Sequence, residues 1–178
     1  MTVEFDAIGA EVGWEGKIIR AGTERFRYSD GTEVTRDKVW HPGAVGIVAL
    51  DGEHVWLTRQ PREVVGATAS LEIPAGKLDV PGEAPIETAK RELAEEIGKR
   101  AEHWEELLAF YTSPGISDER LWLFVATGLA DAPRGDPDED ERIEILPWPV
   151  DRLDDAIAQC EDSKSLIALL WLAARRRA

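Results

Sequence analysis

The stretch Gly76–Gly98, GKLDVPGEAPIETAKRELAEEIG, begins as a loop and ends as a helix rich in acidic residues, and the rest of the chain is organised around it. Pro81-Gly82 is a turn signal, and the pattern predicts a helix that begins near Pro85 and is closed by Gly98. Apolar residues recur on this helix every three or four positions and form a stripe that faces a core. They are Ile86, Ala89, Leu93 and Ile97.

Three glutamates of the same helix converge on a different face. Glu92, Glu95 and Glu96 stand at positions i, i+3 and i+4, where like charges repel and weaken a helix. A divalent cation would reverse that cost, because clustered carboxylate oxygens are ligands of Mg²⁺ and Ca²⁺. The alternative is a solvated acidic surface that binds nothing. The flanking Arg91 and Gly98 make the pattern more specific, because a solvated acidic surface requires neither residue.

The spacing of seven residues in this stretch closely resembles the Nudix box: a glycine, a spacer, a glutamate, seven residues, then Arg-Glu-x-x-Glu-Glu-x-Gly. They are Gly76, Glu83, Arg91, Glu92, Glu95, Glu96 and Gly98. Two departures stand out: the spacer before Glu83 is one residue longer than the commonest form, and Lys99 replaces the usual aliphatic residue. The resemblance covers roughly residues 40–176. It implies hydrolysis of a diphosphate bond with Mg²⁺ as cofactor, or with Mn²⁺ in its place.

The resemblance also implies roles for individual residues. The metal ligands would be the Ala75 carbonyl and the carboxylates of the three helix glutamates: Glu92, Glu95 and Glu96. Arg91 would orient these glutamates through ion pairs, and it belongs with Glu95 to the expected catalytic set.

The substrate side is implied by Arg59-Gln60-Pro61-Arg62, which matches a pattern of the ADP-ribose pyrophosphatase branch of the family. There the last arginine reaches the substrate diphosphate, and a guanidinium fork suits paired phosphate oxygens. Arg62 is therefore the expected substrate-binding cation, with Arg59 beside it and Glu72 as a supporting residue. The alternative is a surface arginine at the end of a strand.

The loop Ser113–Glu119, SPGISDE, resembles the loop that carries a catalytic glutamate in the same branch. This implies that Glu119 is the catalytic acid-base residue, with Asp118 as the second choice. A flexible loop of this kind can close over substrate and deliver a base late. Acidic residues in loops are otherwise simply solvated.

The rest of the chain predicts an α+β fold in two parts: residues 1–40 as a small antiparallel sheet, and residues 41–178 as the Nudix domain, a mixed sheet between helices. In the first part, strands are expected at 16–20, 24–28 and 33–40, with Asp30-Gly31 turning a hairpin. Such a sheet has too little core to stand alone. By resemblance it is expected to form a homodimer. In the second part, strands are expected at 44–50, 55–60, 104–111, 121–126 and 143–147, and further helices at 153–159 and 165–176.

Composition excludes several classes of function. A net charge of −14 argues against binding to nucleic acid or to anionic membranes. The single cysteine, Cys160, cannot form an internal disulfide, and the first residues do not resemble a signal peptide, so a cytoplasmic protein is expected. The acidic run 136–142 is interpreted as a solvated loop. Three tryptophans are candidates for stacking on a base, although packing is the commoner role. They are Trp14, Trp40 and Trp56.

The function implied by the resemblance is hydrolysis of ADP-ribose to AMP and ribose 5-phosphate. Two alternatives stay open: a Nudix hydrolase for another substrate (NADH, a sugar nucleotide or a dinucleoside polyphosphate), and a non-catalytic ADP-ribose sensor. The box does not distinguish among substrates because it contacts only the diphosphate. A sensor has no need of the glutamates, and this chain keeps them. A calcium-buffering protein would need neither Arg91 nor the closing glycine.

Overall fold

The computed structural model describes residues 2–134 and 142–177. The acidic run predicted as a solvated loop lies outside these residues, except for Arg142. The chain divides into two compact units: residues 1–43 with 111–120, and residues 44–110 with 121–178. Among the residues described, no helix is both long and apolar enough to span a membrane.

The first unit contains a three-stranded antiparallel sheet. Its strands are β1 (Phe5–Glu15), β2 (Arg20–Tyr28) and β3 (Glu33–Trp40). The Asp30-Gly31 hairpin is confirmed, because Gly31 has a φ of +85° and the Asp30 carboxylate accepts the Thr32 N–H at 2.9 Å. The predicted strand at 16–20 is wrong. Residues 16–19 form the turn between β1 and β2, closed by a hydrogen bond from the Gly16 N–H to the Ile19 carbonyl, and Arg20 is already the first residue of β2.

The second unit is built on a seven-stranded mixed sheet, with five strands in the order β10-β5-β4-β9-β8. Strand β6 pairs with β5, and β7 pairs with β4. The strand bounds are β4 Ala44–Leu50, β5 His54–Arg62, β6 Ala67–Glu72, β7 Ala75–Lys77, β8 Lys99–Tyr111, β9 Arg120–Asp131 and β10 Glu144–Pro149. The helices are α1 Pro85–Ile97, α2 Leu153–Gln159 and α3 Ser163–Arg177.

Strand β4 lies at the centre of this sheet because its small apolar residues can be buried on both sides. Val45 and Ile47 pack in one core cluster with residues of α1, whereas Val48 packs in another with residues of α2 and α3. The alternation follows from the two-residue period of a strand. The predicted α+β fold, a mixed sheet between helices, is therefore confirmed.

Helix α1 begins at Pro85 and is closed by Gly98, as the sequence predicts. Gly98 has a φ of +64°, a left-handed conformation in which glycine has no steric cost, and its N–H bonds back to the Ala94 carbonyl. Ala89, Leu93 and Ile97 are buried against the sheet. On the acidic face, Glu92 and Glu95 stay partly exposed, whereas Glu96 is buried.

Candidate active site

The backbone at Gly76 lies directly against the Glu92 carboxylate. A β-carbon added at Gly76 would stand only 2.0 Å from Cδ of Glu92, closer than any real contact. A glycine is therefore required where β7 crosses the helix. This close approach explains why the first residue of the box has no side chain.

Arg91 organises the acidic residues around it. Its Nη1 donates to Oε1 of Glu92 and to Oε2 of Glu95, each at 2.8 Å. Its Nη2 donates to Glu83 at 3.3 Å, and the same Glu83 oxygen accepts a hydrogen bond from the Thr88 hydroxyl. The buried Nε of Arg91 has no partner within the described residues. One guanidinium thus draws three box carboxylates together.

The remaining box carboxylate holds the start of β7, the strand that contains Gly76. Glu96 is buried, and its Oε2 accepts the backbone N–H of Ala75 at 3.0 Å. This bond fixes the peptide on one side of Ala75, the residue whose carbonyl is expected to bind metal. This hydrogen bond therefore joins α1 to β7.

The described residues contain no preformed metal cage. Among residues 2–134 and 142–177, no three His, Cys, Asp or Glu side chains are arranged to hold an ion. The donors nevertheless fit a divalent cation, because Glu92 and Glu95 converge on one nitrogen and Gly76 leaves the backbone open beside Glu92. Burial, together with the charge of Glu95, raises the pKa of Glu92 to about 7 despite the attraction of Arg91. A cation bound there would stabilise the ionised carboxylate of Glu92 and so offset the energetic cost of burying its charge.

Arg62 and Glu72 form a second polar cluster in the same unit. The guanidinium of Arg62 donates from Nε and from Nη2 to the two oxygens of Glu72, both at 2.7 Å. Glu72 is only 2% exposed, whereas the Arg62 side chain is 43% exposed. Burial alone would raise the pKa of Glu72, but the hydrogen bonds from Arg62 and the charge of Lys164 outweigh it and hold the pKa at about 2. The carboxylate therefore orients the arginine.

Two other predicted residues lie apart from this pair. Arg59 contacts Glu144 of the neighbouring strand at 3.5 Å, on the exposed part of the sheet. Lys99, the departure from the box pattern, pairs with Asp131 at 2.6 Å and lies 4.3 Å from the ring centroid of Trp56. Lys99 is thus a cation–π partner of Trp56.

Glu119 and Asp118 belong to the first unit, where β3 holds their loop. The Val39 N–H donates to the Ile116 carbonyl at 2.8 Å, and the Val39 carbonyl accepts the Asp118 N–H. The Asp118 side chain accepts the backbone N–H of His41 at 2.9 Å and pairs with Lys38 at 3.3 Å. The sequence indicated a flexible loop, whereas the structure ties the loop to a strand.

The Glu119 side chain has its own partners within that unit. The Thr112 hydroxyl donates to its Oε2, and the Glu119 N–H donates to the Ser117 hydroxyl at 3.1 Å. Nδ1 of His41 lies 3.7 Å from Oε1 of Glu119. Because Nδ1 also accepts the Gly43 N–H at 3.0 Å, it carries no proton in that arrangement and does not donate to Glu119.

Sequence reasoning missed the residues at the start of α3. Lys164 donates to Oε2 of Glu72 at 2.6 Å and to Asp162 at 2.8 Å, and the Ser165 hydroxyl accepts the Ile73 N–H at 2.9 Å. The available signal was Asp162, an aspartate directly before a helix, which is a preferred N-cap residue. That signal locates the helix start but does not indicate its partners in β6.

Several known proteins are similar to this chain in sequence. The NUDIX domain model matches residues 40–170. An ADP-ribose pyrophosphatase of Mycobacterium tuberculosis is 38% identical over 82% of this chain and 70% of its own length. An ADP-ribose pyrophosphatase of Bacillus subtilis is 36% identical over 96% of this chain and 94% of its own length. A methanol dehydrogenase activator of Bacillus methanolicus is 35% identical over 95% of this chain and 92% of its own length.

A solved structure described as an ADP compounds hydrolase shares the fold. It superposes with a TM-score of 0.80 at 24% identity, and the match covers 98% of this chain and 97% of the other. The family match spans most of the chain and contains the whole glutamate helix. The chain therefore belongs to the Nudix hydrolase family and is a Nudix pyrophosphohydrolase similar to the ADP-ribose pyrophosphatase branch.

Proposed function

We propose that this chain hydrolyses the diphosphate of a nucleoside diphosphate derivative, with ADP-ribose as the preferred substrate and AMP and ribose 5-phosphate as products. The observation that carries the proposal is the packing of the Glu92 carboxylate on Gly76, beside Glu95 and the buried Glu96. The names of two relatives, both ADP-ribose pyrophosphatases, support the choice of substrate.

The cofactor we propose is Mg²⁺, with Mn²⁺ as the alternative. Glu92, Glu95 and Glu96 would hold it together with the Ala75 carbonyl, because hard divalent cations prefer oxygen ligands. When bound, such a cation neutralises phosphate charge and lowers the pKa of water. Arg91 keeps the carboxylates of Glu92 and Glu95 in place.

Two further residues act on the substrate in this proposal. Arg62 offers its exposed guanidinium to the diphosphate, while Glu72 fixes the orientation of that guanidinium. Glu119 accepts the proton of the attacking water, a role that typically contributes about 10²–10⁴-fold to a rate. Its carboxylate already accepts a hydrogen bond from Thr112, so its position is defined. We expect Glu119→Gln to lower kcat by about 100-fold with little change in KM.

The deciding experiment incubates the protein and Mg²⁺ with ADP-ribose, NADH, a sugar nucleotide and a dinucleoside polyphosphate. Release of phosphate monoesters is followed for the wild type, Glu96→Gln and Glu87→Gln. We expect Glu96→Gln to lose about 1000-fold in kcat/KM, because the carboxylate charge is removed without a change of size. Glu87 lies exposed on the same helix and pairs with Lys90, so it is the matched control.

Two results would count against the proposal. Unchanged turnover in Glu96→Gln would show that the box takes no part in the reaction. If the wild type hydrolyses none of these substrates but binds ADP-ribose tightly, the chain acts as a sensor rather than an enzyme. A preference for another substrate of the panel would keep the chemistry and change only the specificity.

We also propose a homodimer formed through the N-terminal sheet. Strand β1 leaves large apolar side chains exposed, among them Phe5, Val12 and Trp14, with Trp14 57% exposed. An apolar strand of this kind calls for a partner surface. We expect analytical ultracentrifugation to show a dimer for the wild type and for Glu11→Gln, but a monomer for the double variant Val12→Glu/Trp14→Glu. A dimer that survives both glutamates would contradict this assignment.

A further inference from the structure

The first residues of α3 form a buried polar clasp on the segment that leads into the box. We define the clasp as Asp162, Lys164 and Ser165. Asp162 caps the helix, because its Oδ2 accepts the Ser165 N–H at 3.0 Å and also the Ser165 hydroxyl proton at 2.5 Å. The Ser165 hydroxyl in turn accepts the Ile73 N–H. Ser165 is fully buried, so this bond lies away from solvent.

Lys164 links the clasp to Glu72. Its ammonium group lies 2.6 Å from Oε2 of Glu72 and 2.8 Å from Oδ2 of Asp162. Oε2 of Glu72 also accepts from Nη2 of Arg62 at 2.7 Å. A single buried carboxylate therefore faces two cations, of which Lys164 is enclosed and Arg62 is partly exposed.

The charges of this cluster determine how much of the Arg62 charge is left for a ligand. Without Lys164, Glu72 would be paired with Arg62 alone, and the pair would attract an anion weakly. With Lys164 present, the charge of Glu72 is shared between the two cations. The charge of Asp162 is itself offset by the N-terminus of α3, where backbone N–H groups favour an anion.

The hydrogen bonds of Arg62 also favour the binding of an anion. Its bonds to Glu72 use Nε and Nη2, and no bond of Nη1 is made within the described residues. One edge of the guanidinium is thus fixed by Glu72, and the other edge is left to bind a phosphate. A planar fork held in this way loses little conformational entropy when it binds.

We propose that Lys164 is a positioning residue for the diphosphate: it shares the charge of Glu72 with Arg62, so that the guanidinium oriented by Glu72 presents net positive charge to the substrate. The inference rests on the proposed function in one respect, namely that Arg62 contacts the diphosphate. Lys164 itself does not touch the substrate in this arrangement. Its effect is transmitted through Glu72, so a change of Lys164 should alter KM only while Glu72 is present.

The test compares Lys164→Met, Lys164→Gln and Lys164→Arg with the wild type. We expect Lys164→Met to raise KM for ADP-ribose about 10-fold with kcat changed by less than about 3-fold, since Arg62 binds the diphosphate throughout the reaction. Lys164→Gln, which keeps a donor for Glu72, should raise KM by about 5-fold. Lys164→Arg keeps the charge and should stay within about 3-fold of the wild-type KM. Arg177→Met removes a cation from an exposed pair at the other end of α3 and is the matched control.

A double-mutant cycle separates positioning from a general packing role. In a Glu72→Gln background, Lys164→Met should change KM by less than about 2-fold, because the residue that transmits its effect is gone. Equal effects in both backgrounds would overturn the inference. So would a wild-type KM in Lys164→Met or, where that variant does not fold, in Lys164→Gln, with folding checked by thermal unfolding.

Binding of inorganic pyrophosphate, measured by calorimetry, keeps this test apart from the test of the proposed function. Lys164→Met should raise the Kd for pyrophosphate about 10-fold even if the wild type hydrolyses no substrate of the panel. In that case the proposed function fails and the positioning role stands. A Kd that Lys164→Met leaves unchanged, or a wild type that binds no pyrophosphate, overturns the positioning role.

Discussion

Two regions of the molecule carry the acidic residues that we propose take part in the reaction, and they are organised in opposite ways. On α1, Arg91 gathers Glu92 and Glu95 from one and four residues away on the same helix. In the loop before β9, Asp118 is held by His41 and Lys38, which lie about eighty residues earlier in the chain. The first arrangement is local in sequence, and the second exists only in the folded chain.

The difference explains why one region is visible in the sequence and the other is not. Helical spacing alone brings Arg91 and Glu95 together, since residues four apart are neighbours on a helix surface. Nothing in the residues of the loop indicates that Val39 will pair with it. We therefore expect activity to be lost at the helix when residues of the box are changed. At the loop, we expect it to be lost when the long-range partners are changed.

The largest effect is expected from Gly76→Ala. The new β-carbon would collide with the Glu92 carboxylate, so either the loop or the glutamate must move. We expect kcat/KM to fall by about 1000-fold, a loss comparable to that from removing a charged group at a reacting centre. Gly13→Ala is the control, because a β-carbon there would meet only one atom, at an ordinary 3.9 Å. Wild-type turnover in Gly76→Ala would show that this close approach is not needed.

A second large effect concerns stability and pH at Glu72. Its pKa lies at about 2 in the folded protein against an ordinary 4.5, so its contribution is complete above about pH 4.5 and is lost as the pH falls toward 2. The difference corresponds to about 3 kcal/mol of unfolding free energy. Denaturant titrations should show the wild type more stable than Glu72→Gln at pH 7, and by a smaller margin at pH 3.

The matched control for that measurement is Glu33→Gln, which removes an exposed pair with Arg27. Exposed pairs contribute little because water and salt screen them, so this variant should unfold like the wild type at both pH values. A Glu72→Gln protein whose stability margin is the same at pH 3 and pH 7 would contradict the depressed pKa.

The smallest effect is expected from Asp118→Ala, which tests the long-range side of the comparison. It removes the acceptor for the His41 N–H and the partner of Lys38, so the loop is held less firmly. We expect kcat to fall by about 10-fold, since misplacing a neighbouring base lowers the rate without abolishing it. Asp37→Ala, on an exposed position of β3, should have no effect. Equal activities of the two variants would show that β3 does not position Glu119.

Much of the second unit follows from local patterns. The bounds of β4 and α1 follow from a continuous apolar run and from a proline-to-glycine segment with helical periodicity. Strand β1 was not predicted because most of its residues are exposed, and without burial there is no alternation to detect. Lys164 was missed for a related reason, since its partner Glu72 lies 92 residues earlier in the chain.

The parallel pairing of β4 with β9 has a consequence for the synthesis of this protein. Ala44 pairs with Leu121, so 121 − 44 = 77 residues must be added before that edge of β4 finds its neighbour. At typical translation rates this takes about 4–15 s, during which an apolar strand keeps one row of unpaired backbone groups. On a crowded polysome, identical nascent chains present this same edge to one another. The central strand that later anchors the sheet is thus a segment that a chaperone would protect while the chain is being made.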